Sequence, residues 1–106
     1  METKTILSNF FEAFFNQHDL SAADKYLSPD YIQHAWDVPP GREGFRKHFE
    51  QVFRRFPQFH VHVYHIIEDG DMAAVHGYGV TEPGKIEVLV VDIYRMENGL
   101  LKEHWG

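Results

Sequence analysis

Residues 45–63, Phe45-Arg46-Lys47-His48-Phe49-Glu50-Gln51-Val52-Phe53-Arg54-Arg55-Phe56-Pro57-Gln58-Phe59-His60-Val61-His62-Val63, change their hydrophobic period half-way. Phe45, Phe49, Val52, Phe53 and Phe56 recur at i, i+4, i+7, i+8 and i+11, which is one face of a helix. Pro57 closes that helix, because its ring clashes with the preceding turn and it has no N–H to give. Beyond it apolar and polar residues alternate with period 2, the signature of a half-buried strand. Strands are expected at about 58–68, 72–81, 85–96 and 100–105. Asp69-Gly70, Pro83-Gly84 and Asn98-Gly99 fall between them as hairpin dipeptides.

Upstream, Ile6-Leu7, Phe10-Phe11 and Phe14-Phe15 recur as pairs every four residues, a wide apolar stripe on an N-terminal helix. Asp19 can cap a second helix running through Leu20, Ala23, Tyr26 and Leu27. Ser28-Pro29-Asp30 breaks it, and Tyr31-Ile32-Gln33-His34 reads as a short strand. Gly41-Arg42-Glu43-Gly44 opens the third helix. Helices first and a strand meander afterwards make an α+β domain, with the helices on one face of a curved antiparallel sheet.

The chain has 106 residues, 43% hydrophobic and 15% aromatic, enough for one dense core and too short for a second domain. There is no cysteine, which excludes disulfides, thiolate catalysis and cysteine-bound metal. The net charge of −6 disfavours nucleic acid as a partner. The basic residues Arg42, Arg46, Lys47, Arg54 and Arg55, interrupted by Glu43 and Glu50, read as a solvated helix face. The longest purely aliphatic run, Val88-Leu89-Val90-Val91, is far short of a membrane span. Met1-Glu2-Thr3-Lys4 lacks the start of a signal peptide. A cytoplasmic protein is expected, without membrane contact.

A two-residue Asp69-Gly70 turn would pair Glu68 with Asp71, Val63 with His76 and Val61 with Tyr78. Phe59, Val61, Val63, His65, Ile67, Met72, Ala74, His76, Tyr78 and Val80 would then look inward. His60, His62, Tyr64, Ile66, Ala73, Val75, Gly77 and Gly79 would form an outer face, small and apolar enough to seat a second copy as a homodimer. At the last turn a two-residue loop would oppose Arg95 to Lys102, an unfavourable like-charge pair. A three-residue Glu97-Asn98-Gly99 loop avoids this, pairing Met96 with Leu100, Tyr94 with Lys102 and Asp92 with His104.

Asp92 stands alone in the apolar run Val88–Tyr94, where a carboxylate must be paired, neutral or functional. It reads either as an ion-paired structural partner of His104, or as a pocket acid that donates a proton or a hydrogen bond. His34, His76 and His104 are candidate acid–base groups, since imidazole exchanges protons near neutral pH. Phe10, Phe14, Phe49 and Phe53 would roof the pocket, with Trp36, Tyr78 and Tyr94 completing an apolar site. His60 and His62 share one face of a strand at metal-ligand spacing, but no third ligand is fixed beside them, so no metal is expected. Motifs for zinc proteolysis, serine hydrolysis and nucleotide binding are absent.

Tyr31-Ile32-Gln33-His34, Gly41-Arg42-Glu43-Gly44-Phe45, Ile67-Glu68-Asp69-Gly70-Asp71, Val75-His76, Val91-Asp92-Ile93-Tyr94-Arg95, Glu97-Asn98-Gly99 and Glu103-His104-Trp105 together resemble the SnoaL-like proteins. These are polyketide cyclase-related members of the nuclear transport factor 2-like superfamily. The resemblance runs over almost the whole chain. It implies a single SnoaL-like domain over 1–106, with the cystatin-like architecture of a cone-shaped curved sheet on N-terminal helices, and often a homodimer. It also implies a last strand that stops short of its usual end. Relatives include aldol cyclases and ketosteroid isomerase, which work on apolar carbonyl compounds with pocket acids and bases and no cofactor. The resemblance thus implies Asp92 as acid or oxyanion donor, His104 as its partner and His34 as a base. A non-catalytic binding or dimerisation module is the alternative. Two positions depart from the pattern: the usual acid after Glu-His-Trp is Gly106, and the usual Asn after the histidine is Ala35. The isomerase tyrosine on the first helix aligns with Phe11.

Overall fold

The computed structural model describes the backbone of residues 2–82 and 85–106, and their side chains apart from 85–88. The elements are α1 (Thr3–Phe10), which runs on into a π-helical turn (Phe11–Asn16), α2 (Ser21–Tyr26), β1 (Leu27–Gln33), α3 (Gly41–Arg55), β2 (His60–Asp69), β3 (Met72–Glu82), β4 (Lys85–Glu97) and β5 (Leu100–Trp105). The five strands form one sheet in the order β1-β5-β4-β3-β2. The helices pack on one of its faces, so the chain is α+β.

The π-helical turn follows from the sequence period. At about 100° per residue an α-helix drifts roughly 40° for each four-residue step, so pairs repeating every four residues would spiral off the core. Wider i→i+5 bonding, as from the Gln17 N–H to the Glu12 carbonyl at 2.9 Å, brings Phe14 and Phe15 back onto the face of Phe10 and Phe11. All four rings are buried. Asp19 accepts the Ser21 N–H at 3.1 Å at the start of α2.

β1 is longer than expected at its start, and it pairs in parallel with β5, so the sheet is mixed rather than purely antiparallel. Leu27 opposes Leu101 and Gln33 opposes His104, with a register shift between Leu27 and Ile32. That interval contains Pro29, which an edge strand tolerates because no partner needs its missing N–H. The strand thus absorbs Ser28-Pro29-Asp30.

The β2–β3 turn is Gly70-Asp71, not Asp69-Gly70. Asp69 pairs with Met72, and Gly70, at φ +62°, supplies the positive first position of the tight turn. A bulge at Tyr64 then decides which side chains face the core. Val63 opposes Gly77, but His65 opposes His76. Before the bulge Val61 and Val63 face inward. After it His65 and Ile67 face outward, and Tyr64 itself is exposed. The expected inward set is therefore wrong for His65, Ile67, Ala74, His76 and Tyr78. Ala73, Val75, Gly77 and Gly79, expected outside, are buried. Gly77 makes the bulge possible, since a Cβ there would lie 2.1 Å from the His62 carbonyl oxygen.

The β4–β5 turn is also a two-residue one, Asn98-Gly99, with φ of +54° and +76° as a type I′ turn requires. The like-charge clash is avoided by a register shift between Arg95 and Met96: Met96 opposes Leu101, Arg95 opposes Glu103, and Lys102 is the extra residue. Arg95 Nε donates to Glu103 Oε1 at 2.8 Å, and Lys102 pairs with Asp30 on β1. The Pro83-Gly84 turn lies outside the described residues.

Leu7, Phe10, Phe14, Leu27, Val75 and Leu101 are the largest fully buried side chains. Phe10 stacks on Phe14 at 5.5 Å and Phe14 on Phe45 at 4.9 Å, which ties α1 and its π turn to α3.

Gly77→Ala is expected to destabilise the protein by about 1–3 kcal/mol in urea denaturation, because backbone must move to admit the methyl group. The ~0.4–1 kcal/mol gained by stiffening the unfolded chain is too small to reverse that sign. Asp30 gives a pH test. Lys102 first, then the Ser28 hydroxyl, hold its carboxyl down from 3.8 to about 2. A depressed acid stabilises above its unfolded value and loses that effect as pH falls through the folded one. The stability difference between wild type and Asp30→Asn should be level above about pH 5, shrink below pH 4 and vanish near pH 2.

Candidate active site

The concave face of the sheet, the π turn and α3 enclose a cavity of about 460 Å³. Phe11 and Phe15 from the π turn, Phe45, Phe49 and Val52 from α3, and Phe59, Val61, Val90 and Tyr94 make its apolar wall. Gln33, Asp92 and His104 bring polar atoms together in it, and His48 and Asp37 add two more titratable groups. Trp36, 94% exposed, stands at the opening. A cavity of this size and composition fits a small, largely apolar molecule with one polar end.

The polar cluster is built by strand alternation. Tyr94 opposes His104 across β4 and β5 and Ile93 opposes Trp105, so Asp92, two residues before Tyr94, is the diagonal neighbour of His104 on the inner face. The two meet, though not in the directly opposed register expected. His104 Nε2 lies 2.8 Å from Asp92 Oδ1. On the other side His104 Nδ1 lies 2.5 Å from Gln33 Oε1. Gln33 Oε1 also accepts the Ala35 N–H at 3.1 Å, and Gln33 Nε2 donates to the Tyr31 hydroxyl at 2.9 Å. The Tyr94 ring lies against His104 at 4.8 Å.

Burial, reinforced by the nearby charge of Asp92, pushes the Tyr94 hydroxyl far above the usual tyrosine range. The same two causes push Tyr31 up, opposed by the hydrogen bond from Gln33. Both phenols therefore stay neutral. Gly106 leaves room for the pair: a Cβ there would lie 2.7 Å from His104 Cε1 and 2.9 Å from Asp92 Oδ1.

The other candidates divide by location. Phe49 and Tyr94 line the cavity, whereas Phe10, Phe14 and Phe53 are core behind its wall. His34 points away from the cavity, because its neighbour Gln33 takes the inward place on β1. His34 Nε2 is 2.6 Å from Glu103 Oε2, and its ring stacks on Trp105 at 5.1 Å. Hydrogen bonds from His34 and from Arg95 hold the Glu103 carboxyl below its usual value, so this outer cluster is an ion-pair network. His76 and Tyr78 lie on the outer face of the sheet, His76 with its Nδ1 3.3 Å from that of His65, and Tyr78 stacked on His62 at 5.1 Å. The Tyr64 bulge put them there. His60 is exposed, and no group of three possible metal ligands converges among the described residues. No described helix is long and apolar enough to cross a membrane.

Sequence reasoning missed Gln33, Phe15, Phe45 and His48 as cavity residues. Gln33 was findable by its period-2 relation to Tyr31, once β1 was known to lie beside β5. Phe15 needed the π turn.

The SnoaL-like domain family matches residues 7–104. No curated protein matches the sequence. Among solved structures, TsrD from Streptomyces laurentii is 21% identical with a TM-score of 0.81, covering 99% of this chain and 88% of its own. IdmH from Streptomyces antibioticus, a candidate polyketide cyclase, is 23% identical with a TM-score of 0.80, covering 99% and 90%. An uncharacterized cystatin-fold protein from Novosphingobium aromaticivorans is 19% identical with a TM-score of 0.81, covering 98% and 96%. At these identities the likeness is one of fold.

The layout sets an expectation for binding. An apolar aromatic probe such as 2-naphthol, followed by its fluorescence, should bind Phe49→Ala about fivefold or more weakly, the ~1 kcal/mol of one lost aromatic contact. His34→Ala and His76→Ala should leave its affinity unchanged, because both side chains lie on the far face of the sheet.

Proposed function

The chain belongs to the SnoaL-like domain family, and from that premise we propose that its cavity is the active site of a cofactor-independent aldol cyclase or isomerase acting on an apolar carbonyl compound. The observation that carries this reading is the Asp92–His104 pair, hydrogen-bonded at 2.8 Å inside an otherwise aromatic cavity. Both ring nitrogens of His104 are engaged by protein oxygens. Asp92 is therefore the member of the pair that meets substrate, through the oxygen that His104 does not use.

The chemistry needs one proton shuttle. The Asp92 carboxylate takes a proton from the carbon next to the carbonyl, and the electron pair of the C–H bond becomes the enolate. In an aldol closure that carbon bonds to a second carbonyl carbon, whose oxygen receives the proton back from Asp92. In an isomerisation the proton returns to a different carbon. His104, hydrogen-bonded at Oδ1, holds the Asp92 carboxyl in place in apolar surroundings. The phenyl walls exclude water and hold the substrate's apolar body. His34, on the far face, has no part in this.

Asp92→Asn should lower kcat on a panel of aryl and alkyl diketones by about 10²–10⁴, the usual worth of a positioned acid–base group. KM and 2-naphthol affinity should change little. Retained turnover would refute the assignment, and binding without turnover by the wild type would favour a non-catalytic binding module.

Assembly belongs to the same reading. The outer face exposes Leu89 (75%), Ile67 (64%) and Val91 (58%) beside Tyr64 and Ile93. So large an apolar face on a small domain is suited to a second copy, packed sheet to sheet as a homodimer. The residues differ from those expected from the sequence, since Ala73, Val75, Gly77 and Gly79 are spent in the core. Sedimentation should give twice the 12.4 kDa chain mass, and Ile67→Glu with Val91→Glu should return it to one.

A further inference from the structure

We infer that Gln33 is the positioning residue of this site: it locks His104 in the Nδ1–H form, so that the mobile proton of the pair lies between His104 Nε2 and Asp92. The inference rests on the acid–base reading of the pair for its purpose, but its geometry stands without it.

The Gln33 amide could in principle face His104 with either its oxygen or its nitrogen. The Ala35 N–H decides which. A backbone N–H has no tautomer, and it points at the same Gln33 atom that meets His104, at 3.1 Å. Turned over, the amide would set its own NH₂ against that donor. The Tyr31 hydroxyl, 2.9 Å from the other end, takes the Gln33 N–H₂. Gln33 Oε1 is therefore an acceptor, and His104 Nδ1, 2.5 Å away, must carry hydrogen.

With Nδ1 committed, only Nε2 can change. Facing Asp92 Oδ1 at 2.8 Å, a bare Nε2 and a bare carboxylate would set two lone pairs against each other. One proton between them removes the conflict, as imidazolium with carboxylate or as imidazole with carboxylic acid. Without Gln33 the ring could place its single hydrogen on Nε2 and leave Nδ1 bare. Asp92 would then keep a hydrogen-bond donor but lose its proton reserve. The titratable groups that face His104 are Asp92 and Tyr94 from β4, with His48 and Asp37 also lining the cavity, while Tyr31 from β1 is bonded to Gln33. Both tyrosines are held neutral, so Asp92 is the anion in contact with the ring.

Nitrogen-15 NMR of the histidine rings tests this without any substrate. In the wild type His104 should show a protonated Nδ1 at every pH at which the protein is folded, with only Nε2 changing. In Gln33→Leu neutral His104 should shift to the Nε2–H form. Gln33→Glu keeps an acceptor at the same place and adds a negative charge, so Nδ1–H should persist and the loss of the His104 charge should move up by about one pH unit or more. If catalysis is found, Gln33→Leu should lower kcat about tenfold or more with little change in KM, and Gln33→Glu should restore part of it with its pH profile displaced upward. A bare Nδ1 in the wild type would overturn the inference, as would an unchanged ring in Gln33→Leu. Should the leucine variant not fold, an unmoved His104 titration in Gln33→Glu overturns it alone. Loss of the proposed enzymatic activity is read separately: an active Asp92→Asn would remove the catalytic reading and leave the tautomer result intact.

Discussion

The contact between the β2 backbone and Gly77 is the constraint on which the rest of this structure depends. Because no Cβ stands at 77, the His62 carbonyl can approach β3 closely enough for Tyr64 to be inserted as an extra residue. A bulge of this kind bends a strand and increases its twist. Here it also reverses which residues of β2 face the helices. Val61 goes to the cavity wall, His65 and Ile67 go to the outer face, and His76 and Tyr78 go with them. The division of the protein into an aromatic interior and a histidine- and tyrosine-bearing exterior follows from that one close approach.

Inside, the same economy of space shapes the site. The apolar cavity disfavours any isolated charge, so the carboxylate at 92 is held by His104, and His104 by Gln33, each bond made by a residue of a different strand. The chain of hydrogen bonds therefore reports on two strand registers at once. The parallel β1–β5 pairing sets Gln33 beside His104, and the β4–β5 shift around Lys102 sets Asp92 diagonal to it. The absence of a side chain at Gly106 leaves the pair undisturbed. The carboxylate next to the histidine comes from the adjoining strand.

Much of this was legible from residue patterns. The helix over Phe45–Phe53 and the strands after Pro57 follow from period. The meeting of Asp92 with His104 follows from rejecting the plain two-residue register, which would set Asp92 opposite Trp105 on the other face. A three-residue loop and the actual shift at Lys102 both set even-numbered residues of β4 against even-numbered residues of β5. The bulges were not legible, since Tyr64 has no local feature that marks it as an extra residue; only the tertiary fit at Gly77 does. The Asn98-Gly99 turn illustrates the same limit. Local turn chemistry favoured two residues, the Arg95–Lys102 clash argued against them, and the protein satisfies both by pushing Lys102 out toward Asp30. His34 was misplaced for a related reason: its type suggested a base, but strand alternation gives the inward place to Gln33.

The central claim is that Asp92 moves a proton to and from carbon inside the aromatic cavity. Solvent deuterium uptake tests it most directly. A naphthyl methyl ketone incubated with the protein in D₂O should gain deuterium at its α-carbon, read by mass spectrometry, faster than in buffer alone. That acceleration should vanish in Asp92→Asn and persist in His34→Ala. Equal uptake with wild type and Asp92→Asn would contradict the account.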